Sequence, residues 1–219
     1  MLYFRNRLCI LSGSWISLSA PNDLTNFWRE TATVVGAADA IDINTSKSTV
    51  GNLNNGLEIN AGLLLFSQTE QFLLGSEEAT VLNPDTAKIS HLSTYFNNRL
   101  VDPMFLGTTV GFLDNSGSYT RFMEMAVVQS GAEPIVVDNS KVVPRLMPND
   151  LDLFGVSRDN NIIFVGKRGT DTVYGYRWFQ VGEERLLSSW FKWKFPKSIK
   201  HFFVSDDSFF FIDDNNFFQ

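Results

Sequence analysis

At 219 residues, with 44% hydrophobic residues and 20 phenylalanines, the chain is too apolar to be disordered and long enough for one large β-domain or two small ones. A formal net charge of −6 argues against gripping nucleic acid through a basic surface, though not against a surface that DNA passes without sticking. The single cysteine excludes an internal disulfide, and no apolar run approaches the roughly 18 residues that span a bilayer.

The first residues lack the basic start, apolar block and small-residue cleavage site of a signal peptide. Arg7–Leu11 and Trp15–Ser19 are predicted strands joined at Ser12-Gly13-Ser14, and Pro21-Asn22-Asp23 ends the second. Leu24–Trp28 reads as a helical turn or irregular chain, and Thr31–Val35 as a short strand. Ala37–Gly56 is small, polar and weakly patterned: a strand at Ile41-Asp42-Ile43, otherwise loop with a short helix around Ser48–Asn54. Gly62–Phe66 and Gln71–Leu74 form a clear hairpin with Ser67-Gln68-Thr69-Glu70 at its tip, and Thr86–Leu92 alternates in part. Met104–Leu106, Thr109–Leu113 and Tyr119–Val128 make a second clear unit, turning at Asp114-Asn115-Ser116-Gly117.

Glu133–Pro148 carries Pro134, Pro144 and Pro148 and reads as an irregular crossing segment with one helical turn. Asp152–Val156 and Asn161–Gly166 pair around Arg158-Asp159-Asn160. Thr172–Phe179 alternates with Tyr174, Tyr176 and Trp178 on one face, and Gln180–Arg185 turns. Trp190–Phe195 then alternates with Phe191, Trp193 and Phe195 on one side, Lys192 and Lys194 on the other. This period of two predicts a sheet with one dry face and one wet face. His201–Val204 and Phe209–Ile212 pair around Ser205-Asp206-Asp207-Ser208, and Asp213–Gln219 begins a further strand.

Strand units near 7–35, 57–95, 101–130, 150–196 and 199–219 recur at roughly 40–55 residues, the length of a four-stranded propeller blade. No WD or kelch signature marks them, and a β-sandwich fits the same spacing. Both ends lie in strand-like sequence, which predicts either a part of a longer protein or a subunit whose edges neighbours cover.

Candidate chemistry is sparse. His91 and His201 have no His, Cys or carboxylate at zinc-ligand spacing. Ser90-His91 lacks a nucleophile elbow, and Gly13, Gly51, Gly56 and Gly62 are too scattered for a phosphate loop. Cys9, in Leu8-Cys9-Ile10-Leu11, reads as a buried small hydrophobe. Asp206-Asp207 and Asp213-Asp214-Asn215-Asn216 lack calcium-loop spacing and read as solvated turns. Glu183-Glu184-Arg185 could supply half of a glycosidase pair, but a polar turn accounts for it more simply. Lys192, Lys194, Lys197 and Lys200 interleave with aromatics as single-strand binders do, yet the alternation assigns them to a wet face. No catalytic, cofactor-binding or metal-binding residue is therefore predicted.

Three stretches carry a family resemblance. Leu146-Met147-Pro148 leads through Asn161–Val165 to Val173-Tyr174-Gly175-Tyr176-Arg177-Trp178-Phe179, then Glu183-Glu184-Arg185-Leu186-Leu187-Ser188-Ser189-Trp190-Phe191-Lys192-Trp193. Arg7–Ser12 is followed by Ser19-Ala20 and Asn26-Phe27-Trp28; Leu63–Ser67 is followed by Glu70–Leu74. In order and approximate spacing, from about Arg7 to Pro196, these are similar to the tail tubular protein B (tail nozzle) family of T7-like short-tailed bacteriophages. The resemblance implies an all-β structural virion protein of β-propeller-like antiparallel sheets, of which this chain is a partial segment, since family members are several times longer. It implies a homo-oligomer of six copies forming the tubular nozzle. That ring would dock on the adaptor ring of tail tubular protein A and contact tail fibres, with genome DNA passing through the lumen at ejection without specific binding. It implies no enzyme activity, cofactor, metal or membrane span.

An acidic conduit would repel a polyanion and keep it moving, so Asp and Glu are expected on lumen-facing loops. The alternative is a carbohydrate-binding or glycan-cleaving β-propeller of a phage or bacterial surface, which would show an aromatic-floored pocket with two carboxylates roughly 5–10 Å apart. A bare interaction domain of a larger secreted β-protein is the third reading.

Overall fold

The computed structural model describes residues 1–45, 51–76, 82–126, 134–181, 184–213 and 216–218, and every regular element among them is a β-strand. The chain divides into two compact units, Met1–Arg99 with Ala126–Ile135, and Leu100–Met125 with Val136–Gln219. Strands follow one another within each sheet in chain order, as antiparallel meanders, and no sheet closes into a barrel. Four consecutive strands in a meander is the topology of a propeller blade.

The first unit holds two sheets. One is β1 (Leu2–Phe4), β2 (Arg7–Ser12), β3 (Trp15–Leu18) and β4 (Ile41–Asn44); the other is β5 (Leu53–Ile59), β6 (Gly62–Ser67), β7 (Gln71–Ser76) and β8 (Ala87–Ser93). They share a core of Cys9, Ile16, Leu18 and Ile41 against Leu63, Leu65, Phe72 and Leu74. Between β3 and β4 runs a long strandless loop. The Asp39 carboxylate holds it by accepting the backbone N–H groups of Gly36 at 2.7 Å and Glu30 at 3.1 Å, bonds that keep Asp39 below the usual carboxylate range.

Arg7, at the start of β2, is among the largest fully buried side chains. Its Nη1 donates to the carbonyls of Ser19 at 2.7 Å and Asp39 at 2.8 Å, while the Ser19 hydroxyl accepts the Leu8 N–H at 3.0 Å. The Arg7…Ser19 pair of the opening motif is thus a structural clasp that satisfies buried carbonyls where the β3 chain leaves the sheet.

The second unit holds three sheets: β9 (Met104–Phe105), β10 (Thr109–Asp114), β11 (Arg121–Ala126) and β12 (Val136–Asp138); β13 (Leu153–Ser157), β14 (Ile162–Gly166), β15 (Thr170–Val181) and β16 (Glu184–Ile199); and β17 (His201–Ser205), β18 (Ser208–Ile212) and β19 (Phe217–Phe218). Asn161 and Asp206 take φ of +50° in the β13–β14 and β17–β18 turns, a backbone region that Asn and Asp tolerate better than most residues.

Inner strands are dry on both faces. All six residues of β6 are buried, and in β14 Ile163 and Val165 enter one core while Phe164 enters another. This corrects the expectation of one dry and one wet face. Along β15 and β16, Tyr176, Trp178 and Trp190 pack toward the β9–β12 sheet, while Val173, Phe191 and Phe195 pack toward β17–β18. A sheet that is apolar on both sides must be covered on both sides, as in layered folds.

Other expectations need correction. Thr31–Val35 forms no strand; it lies in the loop that Asp39 organises. Of the helix expected around Ser48–Asn54, residues 46–50 lie outside the described residues, and Leu53 and Asn54 open β5 instead. The Glu133–Pro148 segment contributes the edge strand β12, its three-residue length and flanking Pro134 having hidden it, and its remainder makes i→i+3 turns at Ser140–Val143 and Val143–Leu146. Val127, Val128 and Glu133 lie outside the described residues. Leu2–Phe4 is a strand that sequence patterning did not anticipate.

Gly175, between Tyr174 and Tyr176, lies directly under Phe191; a Cβ there would sit 2.0 Å from the ring. Gly175→Val is expected to cost about 2–3 kcal/mol by overpacking. Arg7→Met, which strands the Ser19 and Asp39 carbonyls, is expected to cost about 2–4 kcal/mol. Urea unfolding of both variants measures these losses.

Candidate functional site

Among the described residues, none of those weighed for chemistry assembles a reactive centre. Burial pushes the Cys9 thiol up to about 12, away from nucleophilic use. His91, on β8, packs edge-on to Phe72 and lies 3.7 Å from Glu70 Oε1; Ser90 pairs with Leu73 in the β7–β8 ladder. His201 is exposed at the start of β17. Among the described residues no group of three or more His, Cys, Asp or Glu side chains is placed to hold a metal ion.

The acidic turns act as ties. The Asp206 carbonyl accepts the Ser157 hydroxyl at 2.8 Å, and the Asp207 carboxylate accepts the Asn160 amide at 2.8 Å, fastening the β17–β18 turn to the β13–β14 turn. Asp213, buried, accepts Lys197 Nζ at 3.1 Å and the Asn216 N–H at 2.8 Å; Asp214 and Asn215 lie outside the described residues. Lys194 pairs with Asp171 at 3.6 Å, and both are exposed.

The polar centre of the second unit was not anticipated. Glu124 sits in β11 between Met123 and Met125, buried, on the face that Phe122 presents to the β13–β16 sheet. Arg185, from the start of β16, reaches it with a two-pronged contact: Nη1 to Oε2 and Nη2 to Oε1, each 2.8 Å. Thr109 Oγ1 donates to Oε1 at 2.7 Å, and the Asn139 amide also donates to the carboxylate. Arg185 Nη1 further donates to the Tyr176 hydroxyl at 3.3 Å, and its guanidinium lies 5.3 Å from the Trp178 ring centre. Nearby, Trp190 Nε1 donates to the Asn139 carbonyl at 2.9 Å. Burial opposes ionisation of Glu124, but bonds from Arg185, Thr109 and Asn139 and the Arg185 charge outweigh it and hold its pKa below the ordinary value.

Four residues of the last resemblance stretch meet at this clamp. Tyr176, Trp178, Arg185 and Trp190 all enter the seam between the third and fourth sheets. Of the Glu-Glu-Arg turn weighed as half of a glycosidase pair, Glu183 lies outside the described residues, and Arg185 is a structural clamp. A lone glutamate inside the apolar run Phe122–Met125 was the available signal, because a strand dry on both faces cannot leave a carboxylate unpaired.

A seam of this kind fixes one layer against the next. A family model described as "Bacteriophage nozzle protein" matches residues 1–217. The chain belongs to that family. It is also similar to "Tail tubular protein gp12" of Escherichia phage T7, at 23% identity over 202 residues, covering 91% of this chain and 25% of that protein. The chain therefore spans about a quarter of the length of the curated relative it matches. Nozzle-family membership makes it a structural component of the phage tail.

Removing one partner of this buried pair leaves the other charge uncompensated. Glu124→Leu is expected to lose about 3 kcal/mol and adding Arg185→Met to recover most of it, measured as a double-mutant cycle of the two singles and the double. Because the folded pKa of Glu124 is depressed, its stabilisation is present above the ordinary glutamate pKa and lost as pH falls through the folded value. Thermal midpoints of the parent are expected to drop more steeply than those of Glu124→Gln below about pH 4.

Proposed function

We propose that this chain forms part of the wall of a hexameric tubular nozzle through which viral DNA is ejected into the host, without making or breaking bonds. The five sheets are read as propeller blades of a larger nozzle subunit. The ring docks on the adaptor ring of tail tubular protein A and contacts tail fibres. The observation that carries this reading is the nozzle-family match over residues 1–217, together with motif residues that are spent on an inter-sheet seam.

Physical chemistry supports a conduit. Sheets covered on both faces are stiff elements for a wall that must hold its bore. The net charge of −6 disfavours retention of a polyanion. A glycan-cleaving alternative requires two carboxylates over an aromatic floor. The cleft beside Trp193 has such a floor but takes only Asp207 as a carboxylate among the described residues.

Native mass measurement of the purified full-length protein, with a screen for glycan cleavage, tests the reading. Six-subunit assemblies without cleavage are expected; monomers that turn over a glycan would overturn it. Replacing lumen-facing carboxylates with lysine is expected to slow ejection in a DNA-release assay, and unchanged kinetics would remove the acidic-bore element.

A further inference from the structure

The strand β16 is the outermost member of its sheet, with β15 as its neighbour on one side. A cleft of about 620 Å³ opens beside it, lined by four consecutive residues, Lys192, Trp193, Lys194 and Phe195, and on the far wall by Phe209 and Phe211 of β18. Successive side chains of a strand point to opposite faces. A cavity that touches four in a row therefore meets the strand along its edge, where unpaired N–H and C=O groups are presented. Trp193, 42% exposed, packs its ring against Phe164 at 5.1 Å and Phe209 at 5.8 Å between centroids, a fixed aromatic platform at the slot's base.

We propose that this slot accepts an extended segment of a partner polypeptide as an added strand on β16, one that alternates apolar residues with Asp or Glu. Main-chain bonds along the edge supply affinity, and alternate side chains enter the aromatic floor. Charge selects the acidic strand. Lys192 makes no ion pair among the described residues. Among the described residues Lys194 has only the solvent-facing contact with Asp171, which costs little to exchange. Among the described residues the cleft's one carboxylate, Asp207, already accepts from Asn160. The same lysines repel a second copy of this edge, the protection that exposed edges commonly carry, so the occupant is a different, acidic segment. The assignment goes beyond the nozzle reading and does not depend on six-fold assembly.

An acetylated, amidated eight-residue peptide alternating Asp with Ile and Phe is titrated into the full chain by calorimetry at low salt. Binding is expected, weakening at least tenfold in the Lys192→Glu, Lys194→Glu double variant, both sites being exposed and so compatible with an unchanged fold. The decisive probes are two versions of the peptide, each N-methylated at alternate amides on one edge. One is expected to lose binding at least tenfold and the other to keep it, because a strand pairs through one edge only. Absence of binding by the parent peptide, or equal binding by both methylated forms, overturns the proposal whatever the oligomeric state of the protein.

Discussion

A sheet that is apolar on both faces cannot stand alone in water, and this constraint organises the chain. β6, β14 and the inner half of β15 bury residues of both parities, so neither face of these strands is left to water. Covering both faces supplies most of the driving force, since an inner strand contributes every side chain to burial rather than every second one. The edge strand β16 is largely exposed along its length and carries Lys192, Lys194 and Lys197, while β8 is part-buried.

Hydrophobic layers alone specify contact but little about register. Polar ties fix it. In the first unit Arg7 does so, a buried cation that donates to the Ser19 and Asp39 carbonyls beside its own sheet and to the Leu82 carbonyl between β7 and β8 at 3.5 Å. In the second, Glu124 and Arg185 meet with two parallel bonds, a geometry that tolerates little sliding of one sheet over the other. Trp190 adds a third point through the Asn139 carbonyl. Further along, the Asp206 and Asp207 turn is bonded to Ser157 and Asn160, tying the fifth sheet to the fourth. Such seams hold the layers of a tail structural protein in register.

Much of the strand pattern was legible because turns and alternation were clean: the β6–β7 hairpin, the β13–β14 pair and the β17–β18 pair stand where the residues indicate. Short edge strands were not. β1 and β12 have three residues each, too few for a period of two to declare itself, and both owe their order to a longer neighbour. The aromatic alternation at Phe191, Trp193 and Phe195 was read correctly as one face, but Trp190 was overlooked as the anchor of the opposite face because it shares that face with Lys192 and Lys194. The seam was illegible for a related reason. Glu124 and Arg185 stand 61 positions apart, and nothing local announces that a glutamate in an apolar strand and an arginine in a polar turn are partners.

The proposed conduit requires that these sheets form part of a tail tube. Cryo-electron microscopy of tails from intact virions tests this most directly. The expected map has six-fold symmetry, with this chain's meander sheets in the tube wall and continuous density joining Glu124 to Arg185 between the third and fourth sheets. A map in which the chain lies away from the tube, or in which that seam is open, would contradict it.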